Sequence, residues 1–336
     1  MKVAVLHNPR PEGGPPAVDD AFEEYDGPET IAAIVSALTA TGVEAVPVVA
    51  DARIPQTLTE GGFDFVFNLA EGVGRRCREA VPAAICEFLA LPFSGSDALT
   101  LAVTLDKWMA RRIVSPDVPV ARAMLVECEA DEAALDAFFY PAFVKPNDEG
   151  SSKGIRQESL CNDAVAARGR CRWLRERYNC PVLVEEFLPG TEVTTGVLGN
   201  GREASILGLM EIAPAVPSPN PFVYSLETKR DFRRQVRYHV PPRLPASVVD
   251  EISGHALLAY RLLGCRDFAR LDFRLDSDGR PMFIECNPLP GLNPDTSDIV
   301  ILSRSLPPSR ARTYEQLVQG ILHAAVRRYG LEVGSL

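Results

Sequence analysis

The sequence predicts an α/β protein of several domains, α/β at its start and α+β further on. Three observations carry that expectation. The chain has 336 residues, enough for two or three separate cores. Its first hundred residues alternate strand-like and helix-like segments, which marks a parallel sheet with crossover helices. From about residue 191 strand-like runs dominate and lead to a charged β-hairpin over residues 269–292.

The elements follow in order. Val3-Ala4-Val5-Leu6 is a short continuous apolar run, as expected of a buried strand. Residues 28–41 read as a helix, with Asp26 or Gly27 near its cap and Gly42 just past its end. Residues 43–49 and 63–69 are further strands, with Asn68 near the end of the second. Residues 80–89 are helical and run into Leu91-Pro92-Phe93-Ser94-Gly95-Ser96. Together these define an N-terminal parallel α/β domain over residues 1–100, with function expected at its C-terminal strand ends.

A second domain over residues 101–190 begins with a helix carrying Asp106 and Lys107. It continues with a strand at 142–146, a Gly/Ser-rich loop at 147–154, a helix at 161–178 and a strand at 182–186. A third domain over residues 191–336 is strand-rich as far as a helix at 245–263. The hairpin and a last helix at 314–329 complete it, and the Pro/Ser-rich residues 213–224 read as a surface loop.

Composition excludes several classes. Net charge is −10, which argues against a general nucleic-acid binder. No apolar run reaches the length of a membrane span, and the N-terminus reads as a strand rather than a signal peptide. The eight cysteines show no C-x-x-C spacing and the four histidines are scattered, so neither a disulfide frame nor a zinc site is expected. These features predict reduced thiols in a cytoplasmic protein with no nucleic-acid or membrane partner.

The hairpin is the most informative segment. If Asp276 sits opposite Pro281, Leu271 faces Cys286, Phe273 faces Ile284 and Leu275 faces Met282 on one apolar side. The other side then sets Arg270 opposite Asn287 and Asp272 opposite Glu285. Opposed carboxylates destabilise a sheet unless a cation lies between them. Mg²⁺ takes oxygen ligands, commonly carboxylates together with substrate phosphates. Asp272, Glu285 and Asn287 are therefore a candidate metal seat, with Arg270 beside it for an anion.

Two more segments carry chemistry. Lys145 ends a strand before Asn147-Asp148-Glu149-Gly150-Ser151-Ser152-Lys153-Gly154, a loop whose amides and hydroxyls suit phosphate oxygens but which is not a Walker A loop. Glu185-Glu186-Phe187-Leu188-Pro189-Gly190-Thr191-Glu192 suits a nucleotide hinge. A carboxylate or carbonyl there would accept from an adenine amino group, the Leu188 amide would donate to a ring nitrogen, and Glu192 would accept from ribose hydroxyls.

In this order, the pieces resemble the ATP-grasp superfamily and, within it, the D-alanine–D-alanine ligase family. The resemblance runs from about residue 65 to 297 and rests on Pro92–Ser96, Asp106-Lys107, Val144-Lys145-Pro146, Glu149–Ser152, Val184–Phe187, Gly190–Glu192, Lys229, Arg270–Asp272 and Glu285–Gly291. It implies a three-domain ATP-grasp fold and an ADP-forming carboxylate–amine ligase that works through an acyl phosphate. ATP would be held by Lys107, Lys145, Ser151, Ser152, Glu185, Glu186, Leu188, Glu192 and Lys229. Two Mg²⁺, or Mn²⁺ in their place, would lie on Asp272, Glu285 and Asn287. The resemblance gives catalytic roles to Arg270, Ser152, Gly291 and Lys229, and suggests a homodimer.

The first-substrate region departs from the family. Glu71 stands where the family has histidine, and Arg75, Arg76 and Arg78 follow it. Glu24 is the nearest counterpart of the family's ammonium-binding glutamate, Arg230 replaces a tyrosine, and the tail after Gly291 reaches Ser297 about one residue late. From Glu24, Glu71, Arg75, Arg230 and Ser297 the sequence predicts small-molecule carboxylate and amine substrates different from the family's, in natural-product biosynthesis, with an anion received by the arginines. It predicts D-alanine to be a poor substrate. A true D-alanine–D-alanine ligase and a non-catalytic nucleotide-binding regulator are the alternatives. The charged segment 229–234 is expected to close over the site.

Overall fold

A computed structural model describes residues 1–10, 19–74, 76–216 and 221–332. Within it, the N-terminal alternation folds as β1 (Lys2–His7), α1 (Pro28–Thr39), β2 (Glu44–Val49), α2 (Ile54–Glu60), β3 (Phe65–Asn68) and α3 (Ala80–Phe88). The three strands form a parallel sheet in the order β2-β1-β3. β1 is apolar on both faces because both are covered: Val3 and Val5 pack in a core with α1, Ala4 and Leu6 in a core with α2 and α3. Gly42, at φ +88°, makes the left-handed turn that ends α1. Helix α2 was not expected. Its polar sequence IPQTLTE buries only Ile54 and Leu58, too few to show a helical period.

The next unit comprises α4 (Ala98–Leu105), α5 (Lys107–Val114), β4 (Ala123–Val126), β5 (Ala142–Pro146), β6 (Leu160–Cys161), α6 (Ala164–Tyr178) and β7 (Val182–Glu186). Its antiparallel sheet runs β4-β7-β5-β6. The single helix expected around Asp106 is two helices. The chain turns extended at Asp106, whose carboxylate accepts from the Met109 amide at 3.1 Å and caps α5. That break puts Lys107 at the first position of α5.

Beyond residue 190 come β8 (Glu192–Leu198), β9 (Ser205–Pro214), α7 (Leu226–Arg230), α8 (Phe232–Gln235), β10 (Val236–His239), α9 (Ala246–Leu262), β11 (Phe268–Leu275), β12 (Pro281–Asn287), α10 (Asp298–Ser305) and α11 (Tyr314–Arg328). The sheet order is β10-β9-β8-β11-β12, with every pair antiparallel. Of the proline-rich loop expected at 213–224, residues 217–220 lie outside the described residues, and residues 213 and 214 belong to β9.

The chain ends by returning to its start. Leu317, Ile321 and Leu322 of α11 share a core with Ile34 and Leu38 of α1 and with Val3 and Val5. Arg328 of α11 donates to Asp267, at 2.8 Å, and to the carbonyls of Phe93 and Gly95. All eight cysteines are free thiols. Among the described residues no helix is long and apolar enough to cross a membrane.

Candidate active site

A cleft opens between the four-stranded and five-stranded sheets. Its walls include Lys107, Lys145, Ser151, Ser152, Glu185, Glu186, Leu188, Glu192, Lys229, Arg270, Asp272 and Glu285. Twelve residues from well-separated parts of the sequence thus converge on one space. A second cavity adjoins it and shares Gly150, Ser151, Lys229, Arg270 and Asp298 with it. Glu24, Glu71, Arg230, Asn287, Gly291 and Ser297 line that second cavity. Arg75 lies outside the described residues.

The hairpin positions the acidic pair. Arg270 pairs with Asn287, Leu271 with Cys286 and Asp272 with Glu285, as the alternation predicted. The register then slips. Phe273 faces Phe283, Arg274 faces Met282 and Leu275 faces Pro281, because Ile284 is an extra residue bulged out between Asp272 and Phe273. The expected pairs Phe273–Ile284 and Leu275–Met282 are therefore wrong by one residue. The bulge turns Ile284 into the cleft, where it adds an apolar wall. The loop closes through Asp276, whose amide donates to the Arg280 carbonyl at 3.0 Å and whose carboxylate accepts from the Arg280 amide at 2.8 Å, so its partner is Arg280, not Pro281.

Charge in the cleft is arranged around Arg270. Its guanidinium donates to Asp272 through Nε at 3.1 Å and Nη2 at 2.9 Å, and lies 3.7 Å from Glu285 and 3.5 Å from Asp298. Asp272 also accepts from the Thr194 hydroxyl at 2.8 Å. Glu285 takes Lys107 at 3.4 Å. Burial pushes the Glu285 carboxyl up, but Lys107, Lys145 and Arg270 outweigh it and hold the group at about 2. At Asp272 burial wins over Arg270, and its pKa is raised. Burial lowers the Lys229 ammonium. Asn287 turns its Oδ1 to the Leu289 amide at 3.1 Å. Two facing carboxylates and an amide oxygen form a hard-oxygen donor set of the kind that suits Mg²⁺.

The hinge segment is braced by two residues that sequence reasoning missed. Arg111 and Lys145 take the two carboxylate oxygens of buried Glu185, at 2.5 and 2.6 Å. Arg274 donates to the Gly190 carbonyl at 3.2 Å, to Glu192 at 3.3 Å and to the Phe222 carbonyl at 2.7 Å. Burial raises Glu192 to about 7 against the pull of Arg274. Arg274 faces Glu192 in the strand register, and it continues the Arg270, Asp272 alternation. That period of two was the signal available for it. Arg111, Thr194 and Asp298 offered no comparable signal, since each reaches the cleft only through tertiary contact.

The loop after β5 takes two consecutive left-handed residues, Ser151 at φ +50° and Ser152 at φ +58°. Ser151 lines both cavities, whereas Ser152 lines the first alone and its hydroxyl donates to the Tyr224 carbonyl at 3.4 Å. Segment 229–234 is not extended. It falls in α7 and α8, and Arg230 reaches across to Glu23 at 2.6 Å and to the Asp19 carbonyl at 2.9 Å. At the far end, Ser297 Oγ accepts from the Asn293 amide at 2.8 Å, and a side chain on Gly291 would meet that same oxygen at 3.1 Å.

Of the arginines expected to receive an anion, Arg76 and Arg78 are already engaged. Arg78 is buried and donates both to Glu24, at 3.0 Å, and to the Asp148 carbonyl. Arg76 pairs with Asp106 at 2.7 Å. The second cavity carries more acids than bases, with Glu23, Glu24, Asp26, Glu29, Glu71, Glu79 and Asp298 against Arg10, Lys229, Arg230 and Arg270. Local sequence showed three arginines within four residues; the partners of Arg76 and Arg78 lie far away in the chain.

Known proteins share this architecture. A family model described as D-ala D-ala ligase C-terminus matches residues 117–322. The D-alanine–D-alanine ligase of Desulforudis audaxviator is 33% identical over 313 residues, 88% of this chain and 92% of its own. That of Bordetella petrii is 30% identical over 295 residues, covering 86% and 84%. In three dimensions the ATP complex of D-alanine–D-alanine ligase from Bacillus anthracis superposes with a TM-score of 0.70 at 19% identity, over 98% of this chain and 99% of that one.

Proposed function

The chain belongs to the D-alanine–D-alanine ligase family of ATP-grasp enzymes, and from that premise we propose that it joins two D-alanine molecules at the expense of ATP. The observation that supports this reading best is the convergence of Lys107, Lys145, Lys229 and Arg270 with Asp272 and Glu285 in one cleft, beside an acidic cavity. A polyphosphate needs the first four, and the cations that accompany it need the last two. An amino acid's ammonium needs the acidic wall. This replaces the expectation of an anion-bearing first substrate, since Arg76 and Arg78 are already paired.

In this reading the three sheets belong to domains over residues 1–100, 101–190 and 191–336, with α11 of the third packed on the first. Adenosine lies on the hinge, with Leu188 and Glu192 as polar contacts and Glu185 holding Lys145 in place. Lys107 and Lys145 receive phosphates under the loop 149–154. Asp272, Glu285 and Asn287 would hold Mg²⁺, which would neutralise charge on phosphate oxygens. The first substrate's carboxylate oxygen attacks the γ-phosphorus and ADP leaves. The second substrate's amine, held near Ser297, attacks the acyl phosphate, and phosphate leaves with the loss of an amine proton. Arg270, Lys229 and the Gly291 amide face the oxygens on which negative charge develops. Arg230, bridging to Glu23 and Asp19, keeps the segment 229–234 over the cavity and excludes water from the acyl phosphate.

The direct test is incubation with ATP, Mg²⁺ and D-alanine, with mass spectrometry for D-alanyl-D-alanine and a phosphate-release assay beside it. Dipeptide with stoichiometric phosphate is the expected result. Phosphate release only with other carboxylate–amine pairs would refute the D-alanine substrate and return the chain to a divergent ligase.

Lys107→Met and Lys145→Met are each expected to weaken ATP binding roughly 10- to 100-fold by calorimetry, since a charge-assisted contact contributes about 1.5–3 kcal/mol. Unchanged affinity in both variants would remove the two lysines from the phosphate site.

A further inference from the structure

Glu24 is spoken for. Its two oxygens accept from Arg78 Nη2 at 3.0 Å each, from the Gly150 amide at 2.9 Å and from Lys153 Nζ at 3.2 Å. Its side chain is only 5% exposed. Glu149 completes the group by taking Arg78 at 3.3 Å and pairing with Lys153 as well. A substrate ammonium that bound Glu24 would have to displace a buried guanidinium or a buried ammonium and leave it unpaired, which is strongly unfavourable.

Glu71 and Glu79 are in the opposite condition. Among the described residues neither carboxylate has a hydrogen bond or an ion pair. Glu79 is 7% exposed and lines the second cavity. An ionisable side chain so deeply buried, facing a cavity without a partner, is rare unless something polar fills the space. One oxygen from each of Glu24, Glu71 and Glu79 lies within 4.8 Å of the others, so the free pair and the filled carboxylate face a common point. Burial and the repulsion of its neighbours raise Glu71 well above the usual range, and Glu79 is raised to about 7. A cation between them would remove that penalty. The same cavity contains Arg270 and Gly291, so an amino acid can set its ammonium at Glu71 and Glu79 with its carboxylate turned toward the reacting end.

We propose that Glu71 and Glu79 form the seat for the α-ammonium of the first amino acid, and that Glu24 is a positioning residue that anchors the phosphate loop through Gly150 and Lys153. The inference rests on the ligase reading above and names the residues that select an amino acid over a plain carboxylic acid. An ammonium has three donors and needs two or three acceptors. Glu71 and Glu79 supply them without disturbing the Arg78–Glu24–Lys153 network.

The test separates the two substrate sites. Dipeptide formation over a wide range of D-alanine, at saturating ATP, yields a first-site and a second-site Michaelis constant. Glu71→Gln and Glu79→Gln are expected to raise the first-site constant roughly 10- to 100-fold, the effect of losing a charged hydrogen bond to substrate. The second-site constant and the KM for ATP should stay within about threefold in the same variants, since the change is local to one contact. Preference for D-alanine over propionate as the phosphorylated carboxylate should fall in parallel. Glu24→Gln is expected to raise the KM for ATP instead. A larger first-site effect in Glu24→Gln than in the other two would overturn the proposal, as would variants that shift only the metal dependence of the rate. If the unaltered protein makes no dipeptide, the parent reading fails by itself. The seat is then judged by the same three variants in phosphate release, using the amino acid that drives it.

Discussion

Asp272→Asn and Glu285→Gln are each expected to lower turnover by about three orders of magnitude or more, with the far-ultraviolet circular dichroism unchanged. The two carboxylates face each other across the β11–β12 pairing, and nothing in sheet energetics rewards that placement. In the structure the repulsion is held in check by Arg270, Lys107 and the Thr194 hydroxyl. The replacements keep side-chain shape and remove one charge, so they test charge rather than packing. Glu285, with its pKa depressed to about 2, is ionised throughout the working range. A carboxyl depressed below its unfolded value adds stability above that value and loses it as pH falls through the depressed one. Glu285→Gln should therefore remove a stabilising contribution at neutral pH that in the unaltered protein disappears only toward pH 2. Asp272 has the opposite sign. Its raised pKa means that its charge opposes folding at neutral pH, so Asp272→Asn should leave the melting temperature level or slightly higher while turnover collapses. Full activity of either variant in chelator-treated buffer would remove the acidic pair from the reaction.

How far this site could be read from sequence depended on the range of each contact. Alternation over 270–272 and 285–287 correctly placed Arg270 against Asn287 and Asp272 against Glu285, because a strand repeats every two residues. The same rule failed one residue later, at Ile284. A bulge has no compositional signature, and the turn Ser277–Arg280 allows either register. Helices with a clear apolar stripe, such as α1 and α11, were legible to within one or two residues. Helix α2 and the two-residue strand β6 were not, since neither is long enough to show a period.

Charge was legible and pairing was not. Arg78 looked like an anion receptor only because Glu24, 54 residues earlier, and Glu149 were invisible as partners. Asp298 was not singled out in the sequence, yet it is buried, lies 3.5 Å from Arg270 and accepts from the Tyr238 hydroxyl at 3.3 Å. An ion pair formed by folding leaves no spacing in the chain. The excess of acids lining the second cavity therefore emerged only with the coordinates.

Arg270→Lys is the second replacement expected to have a large effect, a fall in kcat of about a thousandfold with the KM for ATP changed only a few-fold. Arg270 reaches three carboxylates with one planar group: Asp272 through two nitrogens, Asp298 through a third, and Glu285 at the edge of contact. A lysine retains the positive charge, and so spares the fold the loss of the counter-charge that Asp272, Glu285 and Asp298 share, which Arg270→Ala would impose. It cannot reproduce the fork. If Arg270 acts on charge that develops as the phosphoryl group moves, the loss must appear in kcat and in kcat/KM together. If it serves only to hold ATP, the KM rises and kcat survives. If its role is to keep Asp272 and Asp298 apart, Arg270→Lys behaves like the unaltered protein in rate and differs only in melting temperature. The first pattern is the expected one, because Arg270 lines both the nucleotide cleft and the acidic cavity, at the place where the two reactants must meet.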